Sequence, residues 1–179
     1  MESKGTPMSD TGNLDGLELL GDGERFQETL CEMIEGVPMF SELTRAEVES
    51  LAGYLRAYEA KQGTAIFREG AKGMFMCIVL SGRVDILKQD QEHEQKKVAV
   101  VRPGKSMGEM SLLDELPYSA TAVAQEDTRL LLLTRMSFLR LGEERPLLCN
   151  LVLRQIARLM SLRLRQTTGV LLDFLNVEK

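Results

Sequence analysis

The sequence predicts a mainly β domain with flanking helices, built as a barrel, a roll or a jelly roll. Three observations lead there. Between Tyr58 and Leu133, Gly63, Gly70, Gly73, Gly82, Gly104 and Gly108 punctuate short apolar runs, the pattern of many short strands joined by tight turns. On both sides of that region the apolar period turns helical. The 179 residues, 44% hydrophobic, suffice for one sizeable core and fall short of two.

Residues 1 to about 22 mix Ser, Gly, Thr, Asp and Asn with short apolar patches, Leu14, Leu17 and Leu19-Leu20, and read as a flexible acidic tail. From about Glu24 to Glu35, Phe26, Leu30, Met33 and Ile34 recur at helical spacing, and Gly36 and Pro38 end that helix. Thr44-Arg45-Ala46-Glu47 forms a capping box opening a second helix, with Val48, Leu51, Ala52 and Leu55 along one side. From Tyr58 the strands follow: Ala65–Phe67, Met74–Leu80, Val84–Leu87, Val98–Val101, Ala120–Ala124 and Arg129–Leu133. After Thr134, Phe138, Leu139 and Leu141 mark a short helix. A longer helix runs from Pro146 to about Gln166, where Thr167-Thr168-Gly169 is expected to stop it. Residues 1–22 thus form a tail, 23–135 the N-terminal helices and β domain, and 136–179 a hinge helix and a long C-terminal helix.

That long helix carries two apolar stripes, Val152, Ile156 and Leu159 beside Leu153, Met160 and Leu164. Two stripes need two surfaces. One is the β domain; for the other we expect the twin helix of a homodimer.

Charge and composition exclude several functions. The net charge of −5 gives no general affinity for nucleic-acid phosphate. Acid concentrates in residues 1–35, nine Asp/Glu against two Lys/Arg, which sets the N-terminal arm apart. The longest apolar stretches are far shorter than the ~20 residues of a membrane span, and no secretory leader precedes them; a cytoplasmic protein without membrane contact is expected. Cys31, Cys77 and Cys149 are scattered and fit neither a disulfide framework nor a metal site. The sole histidine, His93, lies in the polar run Gln89–Gln95, so neither a cupin-type metal site nor a Ser-His-Asp triad has the residues it needs. The chain reads as a non-enzyme with no cofactor.

The most informative stretch is Gly108-Glu109-Met110-Ser111-Leu112-Leu113, followed by Pro117-Tyr118-Ser119-Ala120-Thr121-Ala122-Val123-Ala124. It resembles the phosphate-binding cassette of the cyclic-nucleotide-binding superfamily. Pro38–Leu43 is similar to that family's lead-in, Ile78–Val84 to its glycine turn, and Pro103-Gly104 through Gly108-Glu109 to the approach to its cassette. The four motifs stand in the family's order and cover about residues 30–165. The resemblance implies a double-stranded β-helix, a jelly-roll-like β-roll, with N-terminal helices and a long C-terminal helix.

It also implies a ligand site of Gly108, Glu109, Met110, Ser111, Pro117, Tyr118, Ser119, Ala120 and Thr121. A short helix starting after Gly108 offers free N–H groups, Glu109 faces a ribose hydroxyl, and Ser119 with Ala120 leaves room for a cyclic phosphate. Tyr118 stands where the family has arginine. Losing a two-pronged arginine contact costs about 3–6 kcal/mol, or roughly two to four orders of magnitude in cyclic AMP affinity. Tyr118 is left to stack on a base or to pack in the core.

Arg163, in the long helix, falls where the family reaches toward the purine and suits a guanine edge or a phosphate. We therefore expect a regulatory domain that binds a cyclic mononucleotide or a cyclic dinucleotide such as cyclic di-GMP and signals to a protein effector. The alternative is a degenerate domain that binds no nucleotide and serves as an interaction scaffold. Only Val170–Lys179 follow the helix in the family's DNA-reading position, too few for a helix-turn-helix, so DNA binding is not expected.

Overall fold

The computed structural model describes residues 14, 16–21 and 26–177. Strand β1 (Leu17–Gly21) is followed by α1 (Gln27–Glu35), a 3-10 turn (Pro38–Phe40) and α2 (Arg45–Ala52). The strands β2 (Arg56–Ala60), β3 (Ala65–Phe67), β4 (Phe75–Ser81), β5 (Val84–Gln89), β6 (Gln95–Val101) and β7 (Ser106–Met107) come next. Helix α3 (Glu109–Asp114) interrupts them before β8 (Thr121–Ala124) and β9 (Thr128–Thr134), and α4 (Arg135–Glu144) and α5 (Pro146–Val177) close the fold.

The strands make two antiparallel sheets, β1-β2-β9-β4-β7 and β3-β8-β5-β6. Between them lies the roll core, with Phe75, Cys77 and Val79 of β4 beside Leu130 and Leu132 of β9. The alternate residues of the same strands, Met76, Ile78, Leu131 and Leu133, point the other way into a helical core. Strands β4 and β9 are thus buried on both faces, which is why they read as unbroken apolar runs. Leu30 and Ile34 of α1, Leu51 of α2, Leu141 of α4 and Ile156 of α5 complete that second core, each contributing about 1.5–3 kcal/mol by burial.

The expected capping box is present: Glu47 N donates to Thr44 Oγ1 and Thr44 N donates to Glu47 Oε2 at 2.7 Å. Thr134 caps α4 from one side only, its hydroxyl accepting from Ser137 N at 3.1 Å. Tyr54 O–H donates to Glu144 at 2.6 Å and tethers α4 to the end of α2.

Two expectations are corrected. Leu17–Gly21, assigned to a flexible tail, forms a strand on the free edge of β2, pairing Leu17 with Ala60 and Leu19 with Tyr58. The patches Leu14 and Leu17 pack on the roll core and Leu20 on the helical core, so they anchor the arm. The rest of the tail assignment, residues 1–13, 15 and 22, lies outside the described residues. The long helix, expected to stop near Gln166, continues to Val177. Thr168 Oγ1 folds back onto the Leu164 carbonyl at 2.9 Å, and a single interior glycine weakens a helix by about 1 kcal/mol without ending it. Two further strands are absent from the expected set, the mixed Arg56–Ala60 of β2 and the two-residue β7, and β6 begins at Gln95, ahead of the expected Val98, because Gln95–Lys97 carry no apolar signal.

Candidate functional site

The site is built around the short helix α3 where it leaves β7. Gly108 adopts φ +82°, and a Cβ there would lie 2.9 Å from the Phe75 carbonyl oxygen and 3.3 Å from the Tyr118 ring. Only glycine meets both demands. This turn swings Glu109 inward, where its side chain is 3% exposed.

Glu109 does not stand free. Ser106 Oγ donates to Oε1 at 2.5 Å, and Arg163 Nη1 lies 2.9 Å from Oε1 and 3.0 Å from Oε2. The second terminal nitrogen of Arg163 donates to the Ser106 carbonyl. One guanidinium of α5 thereby grips both β7 and α3. Such a two-pronged contact fixes orientation as well as charge.

Tyr118 packs as a core aromatic. It is 4% exposed and stacks on Phe67 at 4.1 Å and 13°, with Phe75 edge-on at 5.9 Å. Its hydroxyl donates to the Phe75 carbonyl at 2.8 Å and accepts from Phe75 N at 3.1 Å and Met74 N at 3.3 Å. Burial pushes this phenol up to about 12, so it stays neutral at any physiological pH. Ser119 is exposed, and its carbonyl accepts from Lys88 Nζ at 2.7 Å.

A cavity of about 480 Å³ opens among these elements. Of the residues singled out in the sequence, Gly108, Glu109, Met110, Ser111, Tyr118, Ser119, Ala120 and Arg163 line it. Pro117 and Thr121 are not among its walls. Pro117 is exposed, and Thr121 turns its hydroxyl to the Glu69 amide, accepting at 3.0 Å. The sequence reading missed Phe67, Lys105, Ser106, Gln166 and Thr167, which also line the cavity. Ser106 had a signal, since it sits three residues before Glu109 in a stretch already singled out; Gln166 and Thr167 follow Arg163 by one helical turn. Behind the Phe67–Tyr118 pair is a second cavity of about 290 Å³, walled by Arg68, Lys72 and Met74 among others.

A two-sheet roll holding a glycine-led helix against a half-open cavity, lined in part by Arg163, Gln166 and Thr167 of the long C-terminal helix, is the architecture of a ligand-binding regulatory domain. The chain belongs to the cyclic nucleotide-binding domain family, whose model matches residues 58–145. It is similar to the cyclic AMP receptor protein of Thermus thermophilus, 37% identical over 146 residues that make up 82% of this chain and 65% of that protein. The cAMP-dependent protein kinase regulatory subunit of Aspergillus fumigatus is 35% identical over 108 residues, 60% of this chain and 25% of that one. Among solved structures, a cyclic nucleotide-binding domain from Methylobacillus flagellatus matches with a TM-score of 0.78 at 28% identity, covering 90% of this chain and 92% of that one. The chain therefore spans between a quarter and two thirds of the length of these two curated relatives, and it matches the solved domain almost end to end. No helix of the described residues is long and apolar enough to cross a membrane.

Proposed function

We propose that this chain is a non-catalytic sensing domain in which a small ligand of the nucleotide class seats in the 480 Å³ cavity and alters how α5 is held. The observation that carries this reading is the Arg163–Glu109 pair. The one buried carboxylate of the cavity is bound by the helix that would transmit a signal. A ligand hydroxyl that donates to Glu109 competes with Arg163, and the fork so released is matched to a guanine edge or a phosphate. A volume of this size suits one cyclic mononucleotide. A cyclic dinucleotide extends past Gln166 and Thr167, toward a second subunit.

The homodimer is part of the same proposal. Leu153, Ala157, Met160, Leu164, Thr168 and Leu171 recur at spacings of three or four along α5, the spacing of a two-helix seam. Leu153, Leu164 and Leu171 are 39%, 69% and 57% exposed while Met160 is partly buried against the helical core, so most of this stripe has no cover among the described residues. A partner helix there places two cavities side by side, and a protein effector reads the change in α5 or in the acidic arm.

A second reading has its own support. Tyr118 replaces the family arginine and is locked into the core, which favours a domain retained as an interaction scaffold without a nucleotide. Calorimetric titration with cyclic AMP, cyclic GMP and cyclic di-GMP, each beside its parent nucleoside, separates the two. Heat from any of them that is lost in Glu109→Gln supports sensing. Silence from every compound up to millimolar concentration leaves the scaffold.

A further inference from the structure

Charge is spread unevenly round the cavity. Glu109 and Arg163 neutralise each other at 2.9 Å. Lys105, exposed in the loop leading into β7, also lines the cavity. The Tyr118, Ser119 and Ala120 segment, where the family resemblance puts the phosphate, lines it without any charge of its own. Lys88 comes near this segment but is not among the walls. Its ammonium donates to the Ser119 carbonyl at 2.7 Å and to Glu69 at 3.1 Å.

Tyr118 offers nothing in place of an arginine. A phenol has one proton, and here it goes to the Phe75 carbonyl at 2.8 Å. Two backbone N–H groups occupy the oxygen's accepting side. Phe67 and Phe75 hold the ring on two sides, so the hydroxyl stays turned away from the ligand. A phosphodiester monoanion placed against this segment exchanges water for a wall that supplies no counter-charge, which is unfavourable. A ribose hydroxyl placed there needs only neutral hydrogen bonds, for which the Ser119 hydroxyl is available. Glu109 then accepts from a second hydroxyl, and Arg163 donates to a base.

We infer that the cavity takes an uncharged nucleoside, recognised through its ribose and base, and that a cyclic phosphate adds nothing to its binding. The inference rests on reading the cavity as a nucleotide-class site, and it names which member of each nucleoside–cyclic phosphate pair the site is built for. The test is calorimetric titration of the full chain with adenosine, guanosine and the 3′,5′-cyclic monophosphate of each, at low and at high salt. At least one nucleoside is expected to bind, with its cyclic phosphate equal or weaker and the two differing little in salt dependence. A cyclic phosphate more than about tenfold tighter than its own nucleoside, a gap of about 1.4 kcal/mol, overturns the inference and leaves the site reading standing. Silence from all four compounds, with cyclic di-GMP also silent, overturns both. Nucleoside binding that survives unchanged in Glu109→Gln places the ligand elsewhere and likewise counts against it.

Discussion

Removal of the Arg163 guanidinium is the perturbation that most directly probes the link between cavity and helix. Breaking a buried ion pair from one side costs about 3–5 kcal/mol, because the remaining charge is stranded. Here Glu109 is almost wholly buried but Arg163 is 43% exposed, and Ser106 Oγ still donates to the carboxylate after the change. Solvent screening and that surviving bond bring the expected loss for Arg163→Ala down to about 1–3 kcal/mol. In a Glu109→Gln background the stranded charge is gone, and the same truncation is expected to cost about 0.5 kcal/mol or less. The double-mutant cycle then gives a coupling of about 0.5–3 kcal/mol. Urea unfolding followed by circular dichroism measures all four proteins, at about 0.1 M and about 1 M salt, since a buried pair resists screening that erases a surface one. Amide exchange along α5 is expected to quicken in Arg163→Ala in step with that loss. A coupling under about 0.5 kcal/mol, or one abolished by salt, would place the pair among ordinary surface contacts and refute the claim that it latches α5 to the roll.

Three other outcomes follow from the same geometry. Tyr118→Arg is expected to restore a charged partner for phosphate and to raise cyclic AMP affinity over adenosine by at least about tenfold, read by paired titrations, with Tyr118→Phe as the folding control; an unchanged ratio in a folded Tyr118→Arg protein rejects the charge argument. Because burial raises the Tyr118 phenol from 10.0 to about 12, its contribution to stability is complete below pH 10, where the unfolded chain is still protonated, and is lost as the pH climbs from 10 toward 12. Phenolate absorbance should therefore show a late step that vanishes in Tyr118→Phe, and a normal titration near 10 for every tyrosine contradicts the buried hydroxyl. Leu164→Glu puts charge into the exposed stripe of α5 and is expected to shift a dimer to monomer in analytical ultracentrifugation with little change in monomer stability; a dimer that persists unchanged removes the proposed seam.

Much of the architecture was written locally. Glycine spacing between short apolar runs narrowed the fold to a barrel, roll or jelly roll, the family resemblance chose the roll, and the Thr44–Glu47 box marked the start of α2 to the residue. What escaped depended on partners distant in sequence. Strand β1 exists because β2 offers it an edge, and nothing within Leu17–Gly21 names that edge. Helix α5 runs through Gly169 to Val177, with the Thr168 hydroxyl donating to the Leu164 carbonyl, against a local pattern that reads as a stop. In the site, the resemblance located Gly108 and Glu109 and drew Arg163 into the same neighbourhood, but it assigned Glu109 to a ribose. The structure first gives that carboxylate to Ser106 and Arg163. Their convergence is a tertiary fact, because Arg163 lies 54 residues from Glu109 along the chain.

Tyr118 and Arg163 are best understood together. The family resemblance places a cation at residue 118, on the static wall between the sheets; this chain puts a neutral aromatic there and a cation at residue 163 instead. The positive charge has in effect moved from the roll to the helix. On the proposed reading, a cation on α5, held by the carboxylate that a ligand hydroxyl would seek, makes binding and helix release compete for the same two oxygens. Ligand affinity is then reduced by whatever the latch contributes, and that same amount is the largest bias the ligand exerts on α5. The coupling energy between residues 109 and 163 therefore sets an upper bound on signal strength through this contact, so one double-mutant cycle measures both the stability of the latch and the range of the switch.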